Sequence, residues 1–221
     1  MEARSNEHEM ASQRIGEVVE SASHRFVAQC YRLYQSPPLG AFVRTLIPAS
    51  SHPSPSGRGD GGEVIYAVVY SVSTQALDPG RPVIARGEDE DSEEDVYRSN
   101  PQLARLLSTR FEALIVGHGD GSAYTQHLPA LPPRIHAFVY PCTPEEVKQF
   151  TGRNLDFLYL LMTSPPAGRG IADEVVAACL RQASAQVEDS RSFLVWAGKA
   201  LAVHLAGDLP RLNSILRRLS P

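Results

Sequence analysis

Two histidines and an aspartate stand close together in the sequence, in a segment that predicts a β-hairpin. The stretch Gly117–Gly121 (GHGDG) holds His118 and Asp120 among glycines typical of a turn, and His127 lies on the strand predicted to follow it. Imidazole and carboxylate groups are metal ligands and acid–base catalysts, so a metal-dependent enzyme would use His118, Asp120 and His127. The alternative is a polar turn whose imidazoles are solvated.

Motifs for nucleotide hydrolysis and nucleophilic catalysis are incomplete in this sequence. A P-loop requires G-x-x-x-x-G-K-[ST], but Ala200 follows Gly198-Lys199, and Phe193 occupies the position of the first glycine. The glycine-rich stretch 57–62 is not followed by a predicted helix, and its Asp60 would repel a phosphate. No Ser-His-Asp or Cys-His set follows from the spacing. We therefore expect a protein that is not an enzyme and has no cofactor.

Composition restricts the class of protein further. The 221 residues carry 21 Lys+Arg and 25 Asp+Glu, and the net charge of −4 excludes a uniformly basic nucleic-acid binder. The three widely spaced cysteines, Cys30, Cys142 and Cys179, support neither a disulfide scaffold nor a zinc ribbon. They fit a reducing compartment, so we expect a cytoplasmic protein. No apolar run is long enough to predict a membrane span, and residues 1–13 lack the apolar core of a secretory signal.

The negative charge is concentrated in one segment. Glu88–Asp95 has seven acidic residues in eight positions, but it lacks the D-x-[DN]-x-[DN]-G spacing of a calcium loop. We interpret it as an exposed loop that docks on a basic partner or masks a basic patch of this chain, the alternative being a purely solvated charge run. The candidate partner-binding residues are these acids and three arginines of the last predicted helix: Glu88, Asp89, Glu90, Asp91, Glu93, Glu94, Asp95, Arg211, Arg217 and Arg218.

The first part of the chain, residues 14–141, predicts a small closed β-barrel. The nearly continuous apolar run Glu63–Val72 predicts a strand covered on both faces, whereas the alternation of Arg25–Tyr31 predicts a half-exposed strand. Insertions are expected at 48–62 and 81–108, the second ending in a short helix capped by Asn100, and residues 1–13 are expected to be a disordered extension. The predicted strands are Ile15–Glu20, Arg25–Leu33, Gly40–Leu46, Glu63–Val72, Phe111–Gly117, Ser122–Leu128 and Ile135–Tyr140.

Residues 142–221 change to the apolar period of helices. Thr143-Pro144-Glu145-Glu146 predicts a capping box at the start of the first helix. The fold class is therefore α+β, a small closed antiparallel barrel followed by an all-α C-terminal domain that rests on it. The further predicted helices are Asn154–Met162, Ile171–Gln186, Ser190–Ala206 and Asp208–Leu219. The buried stripe of the second of these is expected to be Ile171, Val175, Cys179, Leu180 and Ala183.

Short motifs in the barrel region resemble a known family. Arg14–Ser21 (RIGEVVES) followed by Phe26 resembles the first hairpin of the HAS-barrel, which HerA-type DNA-translocating ATPases share with the catalytic-ring subunits of rotary ATP synthases. Pro38-Leu39-Gly40 resembles the turn before the next strand of that family. Ile65–Tyr70 resembles the strand that carries a Gly-x-Val pattern, with Ala67 in place of the glycine. The resemblance covers residues 14–140.

The resemblance implies a role in assembly. In that family the barrel forms a collar that holds subunits side by side, while a separate P-loop domain performs the chemistry. We therefore expect a stand-alone barrel that docks on a protein partner or self-associates, without a metal or a small-molecule substrate. One alternative is a DNA-associated accessory factor of a HerA-type system, whose phosphate contacts would be Arg169, Arg181, Arg211, Arg217 and Arg218. The other is the metal-dependent enzyme using His118, Asp120 and His127.

Overall fold

The computed structural model describes residues 13–47, 62–120, 123–164 and 169–219. These residues form a closed barrel and a set of C-terminal helices, which confirms the α+β class. The predicted N-terminal extension (1–13) and the first predicted insertion (48–62) lie outside the described residues except for Gln13 and Gly62.

Six antiparallel strands close the barrel. Neighbouring strands pair in the order β1–β2–β5–β4–β3–β7, and β7 returns to β1. A two-residue strand, β6, pairs with β5 outside this ring. The strands are β1 (Gly16–Ser21), β2 (Arg25–Cys30), β3 (Phe42–Ile47), β4 (Glu63–Ala76), β5 (Leu107–Gly119), β6 (Tyr124–Thr125) and β7 (Phe138–Pro141).

From Ile65 to Tyr70, β4 buries side chains on both of its faces, as its apolar sequence predicts, whereas Val72 at the end of the predicted run is 42% exposed. Ile65, Ala67 and Val69 belong to the core inside the barrel. Tyr66 and the two alternate residues after it belong to a second core, which the strand shares with the helices. Since successive side chains of a strand point to opposite faces, one strand forms the wall between the two cores.

The prediction of a half-exposed strand is confirmed for β2 at Arg25 and Gln29, and at Tyr31 directly after it, but is wrong at Val27. Val27 is only 7% exposed, although its side chain belongs to the alternating set expected to face water. It lies opposite Glu20 of β1 and Glu112 of β5 in the sheet register. The aliphatic stems of such long cross-strand neighbours shield a central residue from solvent, which alternation along a single strand does not reveal.

In the described part of the chain, five helices follow the barrel. The capping box is confirmed, because the Glu146 amide donates to the Thr143 hydroxyl and the Glu146 carboxylate accepts from the Thr143 amide. Helix α5 is central and packs against α4, α6 and α7, and its predicted stripe is buried except for Ile171, which is 46% exposed. None of the described helices is both long enough and apolar enough to cross a membrane. The helices are α3 (Pro144–Thr151), α4 (Phe157–Thr163), α5 (Arg169–Ser184), α6 (Ser190–His204) and α7 (Leu209–Leu219).

The second insertion contains two short helices, α1 (Glu93–Ser99) and α2 (Leu103–Leu106). The expectation that Asn100 begins a helix is wrong, because it ends α1, with its amide bonded to the Val96 carbonyl. The expectation that the acidic run is a loop is also wrong for its last three residues, which lie in the first turn of α1. Ser92 accepts the Asp95 amide as the N-cap of α1, and the acids of the first turn complement the positive end of the helix.

Gly40 sets how closely the barrel approaches α5. Its φ of +80° lies in the left-handed region, and its amide donates to the Val69 carbonyl at 2.8 Å. A Cβ at this position would lie 2.5 Å from the Cys179 amide nitrogen and 2.6 Å from the Ala178 carbonyl carbon. Only glycine therefore allows the chain before β3 to lie against the backbone of α5.

We predict that Gly40→Ala lowers the free energy of unfolding by about 2–4 kcal/mol, the sum of left-handed strain and overpacking. Gly207→Ala is the matched control, because Gly207 also has a positive φ (+100°) but has no atom within 4 Å of an added Cβ. Gly207→Ala should lower the free energy of unfolding by only about 1–2 kcal/mol. Urea unfolding of both variants measures the difference, and equal losses would contradict the close approach.

Candidate functional site

A pocket of about 470 Å³ lies where the outside of the barrel meets the helices. We call it the lateral pocket. Its walls come from the residues before β1, the connection between β2 and β3, the junction of β7 with α3, and the end of α5. This volume is in the range of pockets that bind small ligands or a few residues of a peptide.

The lateral pocket has an apolar floor and a rim rich in amides. Ala41 belongs to the barrel core and Phe42 to the helical core, so the floor of the pocket adjoins both hydrophobic cores. The apolar lining residues are Ile15, Pro37, Pro38, Ala41, Phe42, Pro141, Pro144 and Val147. The polar ones are Gln13, Arg14, Tyr31, Arg32, Gln35, Ser36, Cys142, Gln182 and Gln186.

The charge of the lining is opposite to that of the whole chain. Among the residues that the structure describes, two arginines, Arg14 and Arg32, line the pocket and no aspartate or glutamate does, although the chain carries −4 overall. The Arg14 guanidinium lies 3.8 Å from the centre of the Phe138 ring. Arg32 is exposed, and among the described residues no carboxylate forms an ion pair with it. The described lining residues therefore carry net positive charge.

Hydrogen bonds hold the connection that forms one wall of the pocket. The Gln182 side chain of α5 donates to the Leu39 carbonyl, and the Tyr34 amide donates to the Thr109 hydroxyl of β5 at 2.8 Å. The Tyr31 hydroxyl donates to Glu17 at 2.8 Å. Burial and this bond raise the pKa of Tyr31 to about 12. The wall is thus attached to both the barrel and the helices.

Cys142 is the one cysteine that lines the pocket. Its amide donates to the Phe42 carbonyl at 3.0 Å, which places the residue beside β3. Burial, followed by the Glu146 carboxylate, raises the pKa of its thiol well above the ordinary range, and Arg44 opposes this shift. Because the thiolate is the reactive form, Cys142 is suited to packing rather than to nucleophilic attack.

We predict that Cys142 is the first of the three thiols to be alkylated in the native protein, because Cys30 and Cys179 are buried. The reaction with iodoacetamide should be slower at pH 7.5 than that of a free thiol and should still accelerate above pH 9, because the pKa is raised. Peptide mass spectrometry identifies the labelled site. Earlier labelling of Cys30, or Cys142 reacting as fast as a free thiol, would contradict this environment.

The structure separates the predicted partner-binding acids from the predicted arginines. The acids lie before and within α1, where they are mostly exposed, and the Tyr97 hydroxyl of α1 contacts the Tyr34 hydroxyl beside the pocket wall. Arg217 is exposed on α7. Arg218 forms an ion pair with Glu174, and Arg211 forms one with Asp173. Sequence spacing did not reveal these partners, because α5 and α7 are brought together only by folding.

The ion pair between Arg211 and Asp173 is largely buried. The two side chains are 15% and 10% exposed, Arg211 Nε donates to Asp173 at 2.8 Å, and Arg211 Nη2 donates to the Met162 carbonyl at 3.2 Å. This guanidinium therefore joins α4, α5 and α7 and is unsuited to a contact with a phosphate from solvent.

We predict that Arg211→Met destabilises the fold by about 3 kcal/mol, because it leaves Asp173 buried without a counter-charge. Arg217→Met, on the same helix but exposed, should change the free energy of unfolding by less than about 0.5 kcal/mol. Chemical unfolding compares the two variants. Adding Asp173→Asn to Arg211→Met should recover part of the loss, and no recovery would argue against the ion pair as its cause.

The predicted metal-site residues do not all come together. His118 and His127 lie side by side at a mouth of the barrel, with ring centroids 5.0 Å apart. Asp120 instead accepts the Ala123 amide at 2.8 Å in the turn. Within the described ranges, no group of three or more His, Cys, Asp or Glu side chains is arranged to hold a metal ion. The sequence did not indicate Glu63, which contacts His118.

A search of known protein families found no match to this chain, and a search of curated proteins found none either.

Proposed function

We propose that this chain is a non-enzymatic protein-interaction or assembly module built on a HAS-like barrel, and that the lateral pocket is its docking site. The observation that carries the proposal is the lining, in which, within the described part of the chain, an apolar floor lies beside two arginines and four glutamine side chains with no carboxylate. This chemistry suits a peptide segment with an apolar side chain that packs on the floor of the pocket and a neighbouring acidic side chain that forms an ion pair with Arg14 or Arg32. The glutamine amides can bond to its backbone.

The packing of the barrel supports a site on its outer surface. The interior is filled by apolar side chains, among them Phe26 and Phe111, which are fully buried. A small barrel filled in this way offers its exterior and its loops for binding. The lateral pocket is on that exterior, at the seam with the helices.

This chain itself carries a segment with the chemistry of the proposed ligand. Val83 and Ile84 are each 60% exposed, and the acidic run Glu88–Asp95 follows them closely. The segment is opposite in charge to the pocket and presents two large apolar side chains to solvent. Docking of this segment from a second copy into the lateral pocket would join chains without any other partner, so self-association is the first form of the proposal to test.

We predict that a fluorescent peptide covering residues 82–96 binds the full chain and that added salt weakens its binding. Arg14→Gln with Arg32→Gln should weaken the affinity about tenfold, since two exposed charge pairs contribute roughly 1.4 kcal/mol together. Fluorescence anisotropy measures the affinity. A peptide with both apolar residues replaced by serine tests the contribution of the floor.

Arg217→Gln is the control for a general loss of positive charge and should leave the affinity unchanged. Analytical ultracentrifugation of the wild-type chain and of Val83→Ser/Ile84→Ser tests self-association directly. Peptide binding without self-association would favour a different protein with a similar acidic segment. Failure of acidic peptides to bind, together with a monomer at all concentrations, would overturn the proposal.

A further inference from the structure

One mouth of the barrel holds two imidazoles and a carboxylate in a continuous chain of contacts. His118 Nδ1 lies 2.5 Å from a carboxylate oxygen of Glu63. His118 Nε2 lies 3.3 Å from His127 Nδ1. None of these three residues lines the lateral pocket, so this cluster is independent of the proposed docking site.

The strand register places the three residues at the same end of the barrel. His118 pairs with Ile65 of β4, which belongs to the barrel core, and Glu63 precedes Ile65 by two positions. His118 also pairs with Thr125 of β6, and His127 follows Thr125 by two positions. Residues two apart in a strand share a face, so the register of β4 and β5 brings Glu63 to His118. His127 lies just beyond β6, where the chain bends, and reaches His118 from there.

The Glu63 carboxylate fixes which nitrogen of His118 is available. A carboxylate accepts a hydrogen bond, so the ring donates its Nδ1–H to Glu63 and carries its lone pair on Nε2, which faces His127. Histidines that bind metal ions commonly donate their other ring N–H to a carboxylate in this way, which orients the ring and increases its basicity.

The separation of the two nitrogens matches the distance between ligands of one metal ion. Two nitrogens bonded to Zn²⁺ at about 2.0–2.1 Å with a tetrahedral angle lie roughly 3.3–3.4 Å apart. His118 Nε2 and His127 Nδ1 have this spacing. The His118 side chain is partly accessible and His127 is exposed, so an ion can reach both nitrogens and water can complete its coordination.

We propose that His118 Nε2 and His127 Nδ1 bind a divalent transition-metal ion that prefers imidazole, such as Zn²⁺, Co²⁺ or Ni²⁺, and that Glu63 acts as the positioning residue for His118. His127 Nδ1 also lies 3.1 Å from the Leu128 carbonyl, which can accept its proton in the metal-free protein. When the metal binds, Nδ1 gives up this proton and Nε2 carries one from solvent instead, so the ring stays neutral.

Isothermal titration of the full chain with Zn²⁺, with the Co²⁺ absorption spectrum as a second readout, tests the site. We expect one ion per chain, nitrogen coordination in the spectrum and no binding of Mg²⁺, which prefers oxygen ligands. His118→Gln and His127→Gln should each abolish binding. Glu63→Gln, which removes neither ligand, should weaken it about tenfold.

His136→Gln is the matched control, because His136 also bonds to a carboxylate, that of Glu17, but none of the other described histidines is in contact with it. It should bind Zn²⁺ as the wild type does. His8→Gln/His52→Gln tests the histidines outside the described residues and should also leave binding unchanged. Circular dichroism checks that each variant is folded. Absence of binding to the wild type, or unchanged binding in folded His118→Gln or His127→Gln, would overturn the proposal.

Discussion

The burial of both faces of β4 is the constraint on which the rest of the structure depends. Its inward residues complete the barrel core, and its outward residues Tyr66, Val68 and Tyr70 form part of the helical core. An apolar strand face left in water would be unfavourable by roughly 25 cal/mol per Å², so the barrel requires the helices as cover. The two parts of the chain are therefore joined by a common strand as well as by the peptide that connects them.

The close approach of α5 to the barrel follows from the same constraint. Gly40 lets the chain before β3 lie against the helix backbone, and Gln182 bonds to the neighbouring Leu39 carbonyl. The lateral pocket lies beside this contact, where two rigid layers meet and prolines limit how the connecting chain can fill the gap.

The arginines between the helices have different surroundings from those that line the lateral pocket. Between the helices, Arg211 and Arg218 pair with acids of α5 and serve the fold. On the surface beside the barrel, Arg14 and Arg32 line an apolar pocket, while the acids before and within α1 extend into solvent. Loss of an arginine whose partner is buried, as at Arg211, would leave an uncompensated buried charge, whereas an arginine at the rim of a pocket remains available for binding.

The sequence by itself determined the barrel, the helical C-terminal part, the capping box at Thr143 and the two covered faces of β4, because these depend on local periodicity and capping chemistry. It misplaced the helix at Asn100 and the exposure of Val27, since both depend on neighbours distant in the chain. Only the tertiary structure brought Glu63 to His118, Asp173 to Arg211, and four separate segments around the lateral pocket. The physical reason is that strand register and helix packing set these distances, and neither is encoded in the spacing of residues along one segment.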